Sequence, residues 1–463
     1  MTRCVGWLRT RRTGEQMQIA LIAMSGIRAH NPELTEMGMT LPGFVERGQA
    51  IASLPSLSLL TLAALTPDRH EVSYHEIDDV TEVDEPPDAD LVAIATFTAQ
   101  VKDAYELSDR YRRNGVTTVM GGLHVTSCPE EALEHSDIIV IGEGEVMWRR
   151  LLQDVEEGRA ERMYDARGCE FELADAPIPR FDLLDPERYN RITVQTNRGC
   201  PWQCEFCASS ILLTPRYKLK PVHNVIEEIR TVKSIWPRPF IEFADDNSFV
   251  QKRRSRELAE AMGSEDVRWF TETDISVADD LELLGLLREA GCAEVLIGLE
   301  SPSAGSLDGV ELKRNWKLKQ IDRYREAITR IQEHGVAVNA CFILGLDGDG
   351  PEIFEAVESF VDETRPFDVQ ITVQTPFPGT PLYDRLRSEG RLLEEGAWEK
   401  CTLFDVNYRP LGMTAEQLER GLIELGRRLY SEEATRSRRK GFVQQWRQGR
   451  QAAETAEPED TVA

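Results

Sequence analysis

The chain is short of positive charge: 54 Lys and Arg stand against 80 Asp and Glu, a formal net charge of −26 over 463 residues. So acidic a surface repels a phosphate backbone and argues against nucleic acid as a partner. Also missing is an apolar run long enough to span a bilayer, which takes roughly 20 residues. The most apolar stretch, Ile51–Leu65, is interrupted by Ser, Thr and Pro55 and reads as a buried helix rather than a transmembrane segment. No secretory signal is visible either. The opening "MTRCVGWLRTRRTGEQ" is basic without an apolar centre, and a disordered leader is expected over 1–16. Nine cysteines without an export signal imply a reducing, cytoplasmic setting, where clustered thiols are metal ligands or redox groups rather than disulfides.

What is present is a double alternation of short apolar runs and amphipathic segments. Strands are expected at Gln18–Ala23, Glu71–His75, Leu91–Phe97, Val116–Met120 and Asp137–Ile141, with helical segments such as Val101–Asn114 between them. "DLVAIATFT" and "DIIVIGEGE" have the continuous aliphatic character of parallel strands buried on both faces. The pattern implies an α/β, doubly wound, Rossmann-like domain over 17–157, with ligands at the carboxyl ends of its strands. Those ends carry Thr96, Phe97 and Thr98, then Gly121, Gly122, His124 and Thr126, then Gly142, Glu143, Gly144 and Glu145. Glycine at a strand end lets the backbone approach a ligand closely.

A proline-rich connector is expected over 158–190. A second alternation then begins, with strands near Thr193–Thr196, Phe240–Phe243, Val267–Thr271, Glu294–Gly298, Val338–Leu344 and Val369–Val373. Helices are expected at Asn224–Trp236, Ser255–Met262, Leu281–Ala290, Lys317–Gly335 and Pro351–Glu363. Six βα repeats over 191–400 suit a partial (β/α)6 barrel. A small helical C-terminal region is expected over 401–450, with a basic patch at Arg436, Arg438, Arg439 and Lys440, and a disordered acidic tail over 451–463.

The chemistry is concentrated in "RGCPWQCEFCA", where Cys200, Cys204 and Cys207 follow the first strand of the second repeat set. Short Cys spacings of this kind hold iron–sulfur clusters. Three thiolates on a four-iron cube leave one iron open to a small molecule, as a catalytic zinc keeps an open position that a structural zinc lacks. A structural zinc, an electron-carrying cluster and coincidental core cysteines are the rival readings. The first two want a fourth ligand, and neither Cys169 nor His223 stands at zinc-type spacing. Cys292 and Cys341 read as core residues, and Cys128 and Cys401 carry no assignable signal.

This CxxxCxxC segment with an aromatic before its last Cys resembles the signature of radical S-adenosylmethionine (SAM) enzymes. The resemblance implies that the three cysteines hold a [4Fe–4S] cluster, that SAM chelates the open iron, and that its reductive cleavage yields a 5′-deoxyadenosyl radical. It implies further that Phe206 lies against the adenine, and that Asp245, Asp246, Glu300, Ser301, Gly345 and Thr375 contact SAM. The segment "EFADDNSF" departs from the family's Gly-Gly-Glu type at this place, so its roles transfer by position only.

A doubly wound domain ahead of such a barrel resembles the cobalamin-binding domain of the B12-dependent members, and "TPFPGTPLYDRL" with "LFDVNYRPLGMTAEQL" resembles the C-terminal region of hopanoid methylases. Cobalamin contacts are then implied for Thr96, Thr98, Gly121, Gly122, His124, Thr126, Gly142, Glu143 and Gly144. The Asp-x-His-x-x-Gly motif that supplies a His to cobalt is absent, and His30 in "IRAHNPE" has no Asp two residues before it. The implied reaction is methylation of an unactivated carbon of an apolar, lipid-like or natural-product small molecule. Electrons would come from a flavodoxin- or ferredoxin-like donor. Cyclisation or oxidation without methyl transfer is the alternative, ahead of methylthio transfer and a non-catalytic iron–sulfur protein.

Overall fold

The computed structural model describes residues 16–37, 54–83, 87–209, 212 and 216–456. The expected leader, apart from Gln16, and the first residues of the Ile51–Leu65 run lie outside the described residues.

The aliphatic runs become strands covered on both faces. β1 (Gln18–Met24), β2 (Glu71–Ile77), β3 (Leu91–Ala95), β4 (Thr117–Gly121), β5 (Ile138–Ile141) and β6 (Met163–Asp165) form one sheet in the order β2-β1-β3-β4-β5-β6. All five pairings are parallel. Alternate residues serve opposite cores. Ile19, Leu21, Ala93, Val119 and Val140 pack against helices Leu57–Leu65 and Gly144–Glu156. Ala20, Ile22, Val92, Met120 and Ile139 pack against helix Val101–Arg113. The doubly wound expectation for the first half is met.

The second half begins at β7 (Ile192–Val194), followed by an antiparallel ribbon of β8 (Asn197–Arg198) and β9 (Lys218–Leu219). Then come β10 (Phe240–Phe243), β11 (Arg268–Thr273), β12 (Cys292–Glu300), β13 (Ala337–Leu344) and β14 (Asp368–Val373). These five and β7 make a parallel sheet in the order β14-β13-β12-β11-β10-β7. Sequential strands as neighbours, each followed by a helix, give the partial barrel; β7 and β14 are its two edges, so it is open. Trp269 anchors the core under β11. It is fully buried, stacks on Phe243 at 4.7 Å, and donates its indole N–H to Ala290 O at 2.7 Å.

Two expected boundaries differ. The connector contains β6 and three short turns, Leu173–Asp175, Phe181–Leu183 and Pro186–Arg188, and buries Phe181 in the barrel core. A three-residue strand is too short to show periodicity, which is why it read as linker. The final helix, Glu432–Ala456, runs past the expected start of the tail. Its Trp446 closes over Gly335 and lies 4.6 Å under the Arg288 guanidinium. The expected Lys317–Gly335 helix is broken into Trp316–Gln320, a tight turn at Ile321–Arg323, and Tyr324–Glu333.

Removing the Trp269 ring leaves a cavity and an unpaired carbonyl. Trp269→Ala is therefore expected to lower the unfolding free energy by about 3–5 kcal/mol, as measured by urea unfolding of the full chain followed by far-UV circular dichroism.

Candidate active site

The three-cysteine loop is held by two consecutive aspartates at the end of β10. Asp245 is buried and accepts five hydrogen bonds: from Thr196 N at 2.8 Å, Thr196 Oγ1 at 2.5 Å, Asn197 N at 3.0 Å, Asn197 Nδ2 at 2.8 Å and Ser248 Oγ at 2.8 Å. A carboxylate offers about four lone-pair sites, so none is left for the SAM ammonium group. The implied SAM role of Asp245 is corrected to that of a loop clamp. Asp246 accepts from Gly199 N at 2.8 Å and from Ser209 Oγ, gripping both ends of the cysteine segment. Gly199 has φ +91°, a left-handed conformation that glycine supplies at no steric cost.

Between those grips the loop runs beside the segment after β12. Cys204 bridges Glu311, Glu205 N donates to Val310 O and Leu312 N to Gln203 O, both at 2.9 Å. Glu205 is forked by Arg385, with Nη2 to Oε1 at 2.8 Å and Nε to Oε2 at 3.1 Å. Phe206 packs against Val310, Ile343 and Leu346. Cys200 stands 3.8 Å from the amide nitrogen of buried Asn247.

The donor set suits a cluster: three cysteines on one loop, none of them joined in a disulfide among the described residues, offer the thiolates that iron–sulfur clusters take. Burial pushes the Cys200 thiol up to about 11 and raises that of Cys204 as well. Metal binding removes that penalty by holding both as thiolates.

The end of β12 is unusual. Glu300 has φ +64° beside a bulge at Gly298, and its carboxylate meets Lys317 Nζ at 2.6 Å; the same ammonium donates to Gly298 O at 2.5 Å. Lys317 is buried, which works against its charge, but Glu300 and the nearby Cys204 outweigh this and hold its pKa above the ordinary lysine value. A Cβ on Gly298 would fall 2.5 Å from Glu300 Oε1, so a larger residue there would have to displace the Glu300–Lys317 pair. On β11, burial followed by repulsion from Glu242, Asp246 and other acids pushes the Glu272 carboxyl up to about 8. Sequence reasoning missed both Lys317 and Glu272; neither falls in a motif, and only the barrel brings them to Glu300.

The other implied SAM residues have local partners. Ser301 Oγ accepts from Ser303 N at 3.2 Å, and Thr375 Oγ1 donates to Val373 O at 3.1 Å. Gly345, at φ +85°, receives Tyr408 rather than a ligand: a Cβ would stand 2.2 Å from the Tyr408 hydroxyl, which donates to Gly345 O at 2.6 Å.

A cavity of about 300 Å³ joins the two halves. Its walls are Ala93, Ala95, Gly121, Gly122, Gly142 and Gly144 from the carboxyl edge of the first sheet, and Gln195, Arg198, Ser209, Ala244 and Asp246 from the barrel. Arg198, inside the quoted motif, crosses the boundary, donating to Glu143 and Glu145 at 2.8 Å each; Lys218 Nζ adds a 2.8 Å contact to Glu143. The glutamates of "GEGE" thus bind the barrel loop while also lining the cavity, where the implied cofactor contact of Glu143 falls. Thr126 Oγ1 accepts from Gly142 N at 3.0 Å and ties two glycine turns together. Thr96 and Thr98 are buried behind the lining; the Thr96 carbonyl would lie 3.2 Å from a Cβ on Gly122.

His124 is not among the residues that line the cavity and stands edge-on to Trp398 at 5.2 Å. His30 Nε2 lies 3.1 Å from Glu399 O. No histidine therefore lines the cavity. The cavity combines a glycine edge and aliphatic side chains with the charged Glu143, Glu145, Arg198 and Asp246, a lining that would admit a flat aromatic base such as the tail of cobalamin against Gly121, Gly122, Gly142 and Gly144.

The buried pair makes a sharp test. Lys317→Met strands the Glu300 charge and is expected to cost about 3–5 kcal/mol. The double change Glu300→Gln with Lys317→Met is expected to recover most of that loss. Urea unfolding of cluster-free protein measures both.

The radical SAM superfamily model matches residues 194–361 and the B12 binding domain residues 52–152; a domain of unknown function (DUF4070) matches 380–462. The chain is 27% identical to bacteriochlorophyllide d C-12(1)-methyltransferase of Chlorobaculum tepidum, over 85% of this chain and 86% of that one. It is 26% identical to the hopanoid C-2 methylase of Rhodopseudomonas palustris, over 74% of this chain and 66% of that one. The radical SAM methyltransferase TsrM of Kitasatospora setae, solved with cobalamin and a [4Fe–4S] cluster, shares the fold with a TM-score of 0.63 at 16% identity, covering 94% of this chain and 100% of that one. A three-thiol loop on an open six-stranded barrel, joined through one cavity to a doubly wound domain, thus stands in a chain that carries a radical SAM domain and a B12 binding domain, matches that imply a [4Fe–4S] cluster, SAM and cobalamin as its cofactors.

Proposed function

We propose that the chain transfers a methyl group to an unactivated carbon of an apolar small molecule. The observation that carries this reading is the shared cavity: one wall is the glycine edge of the B12-binding sheet, the other the loop beside the cluster cysteines. When bound, the cluster and SAM supply a carbon radical that takes a substrate hydrogen, and cobalamin supplies the methyl group. The protein contributes position and exclusion of water. Asp245, Asp246 and Arg385 fix the cysteine loop from three sides. Arg198 holds the two halves in register. Leu59, Leu62, Ile94, Val119 and Val140 supply the apolar part of the slot's lining.

Two relatives, by name, methylate bacteriochlorophyllide d and hopanoids. Their substrates support an apolar, ring-built substrate class here. No described helix is long and apolar enough to cross a membrane. The need to keep the cluster thiols reduced supports a cytoplasmic setting and a flavodoxin- or ferredoxin-like electron donor.

Two measurements test the proposal. Anaerobically reconstituted, reduced protein is expected to form 5′-deoxyadenosine from SAM, with a product heavier than its substrate by one CH2 unit. Cys200→Ala, Cys204→Ala or Cys207→Ala is expected to abolish nucleoside formation. A product lighter by two hydrogens would mean cyclisation instead, and a normal rate in any cysteine variant would remove the cluster assignment.

The second is a pH profile. Glu272 keeps its proton in the free protein up to about pH 8, and an incoming sulfonium cation favours its ionised form. SAM affinity in the cluster-loaded protein is therefore expected to rise as pH increases from about 6.5 to 8.5, by at most about tenfold per unit. Glu272→Gln is expected to flatten that slope in equilibrium binding. A flat profile in the unmodified protein would show that Glu272 does not face SAM.

A further inference from the structure

Outside the cofactor cavity, one cluster of metal-binding side chains has no partner that explains it. His124 lies in the short helix Leu123–Ser127 after β4, Cys128 follows that helix, and Glu131 lies in helix Pro129–His135. One ligand atom from each falls within 4.8 Å of the other two. His124 is completely buried, and neither of its ring nitrogens has a hydrogen-bond partner. Its Nε2 stands 3.6 Å from Glu131 Oε1. A direct charge-assisted bond would close to about 2.7–2.9 Å. Two ligands of one zinc ion, each at about 2.0–2.2 Å, stand roughly 3.4 Å apart at the tetrahedral angle.

The surroundings favour a cation. The Tyr105 hydroxyl is buried beside Glu131 and is directed to the same carboxylate. Trp398 donates its indole N–H to both oxygens of Glu131 at 3.1 Å and so orients the carboxylate. Met120, Val125, Ala132 and Trp398 form a dry shell. Burial, then the charges of Glu131 and Glu130, push the Cys128 thiol up to about 12; a divalent ion at this point would balance one thiolate and one carboxylate.

We propose that His124, Cys128 and Glu131 bind one divalent cation of the zinc class, with Tyr105 or a water at the fourth position. An N, S, O donor set suits borderline-soft metals over magnesium or calcium, which take oxygen ligands. The ion would staple the two helices after β4, fixing the Gly121–Gly122 turn at the cofactor cavity and tying it through Trp398 to the C-terminal region. This is a structural site separate from the cluster and from cobalamin, and it does not depend on the proposed methyl transfer.

Holoprotein reconstituted with iron and sulfide, exposed to a small excess of zinc sulfate and desalted, provides the test. The expected result is one zinc per chain by elemental analysis, with zinc K-edge absorption showing one sulfur near 2.3 Å and nitrogen or oxygen near 2.0–2.2 Å. Cys128→Ser and Glu131→Gln are each expected to lower retained zinc at least tenfold while iron and cobalamin per chain stay unchanged. No retained zinc, a zinc shell with no sulfur or with several, or undiminished zinc in either variant would overturn the proposal.

Discussion

The carboxylate of Asp245 closes the turn between β7 and the cysteine loop by accepting from Thr196, Asn197 and Ser248. Everything the loop does depends on this. A loop after a strand has no ladder to hold it, and three thiols on a mobile segment would meet a cluster only at an entropic cost. Two backbone N–H groups and three side-chain donors on one buried acid remove that freedom, and Asp246 repeats the grip three residues further along, at Gly199. The acids of "ADD" thus hold the protein's own backbone.

The same economy governs the boundary between the halves. Arg198 sits two residues before Cys200 and reaches Glu143 and Glu145, so the cluster loop and the glycine edge of the B12-binding sheet share one guanidinium. The side chains involved are largely buried, where removing one partner is far more costly than at an exposed ion pair. The two halves are therefore positioned by charges lying against the cavity, and movement of either edge is felt by the other.

Charge is distributed with a purpose inside the barrel as well. Glu272 and Glu300 face the same interior as Cys341, while Lys317 neutralises Glu300 next to Cys204. The result is a lumen whose buried acids are offset, Glu300 by Lys317 and Glu272 by its retained proton, and it is costly to build, as the left-handed Glu300 backbone shows.

Aliphatic runs and their spacing determined, from the sequence alone, both parallel sheets, and the three cysteines marked the loop after the first barrel strand. Parallel strands buried on both faces leave an unmistakable composition, and a short Cys spacing is local. Tertiary structure decided what each polar residue at those ends does. Asp245 and Gly345 lie where a ligand was expected, yet they serve the turn after β7 and Tyr408, and Glu143 lines the cavity while also holding Arg198. His124 packs in a cluster with Cys128 and Glu131, and Lys317 joined Glu300 from an adjacent helix. The physical reason is range: periodicity reports which face of a strand is dry, whereas the partner of a buried charge is chosen by packing between residues that are 17 to 55 positions apart in the chain.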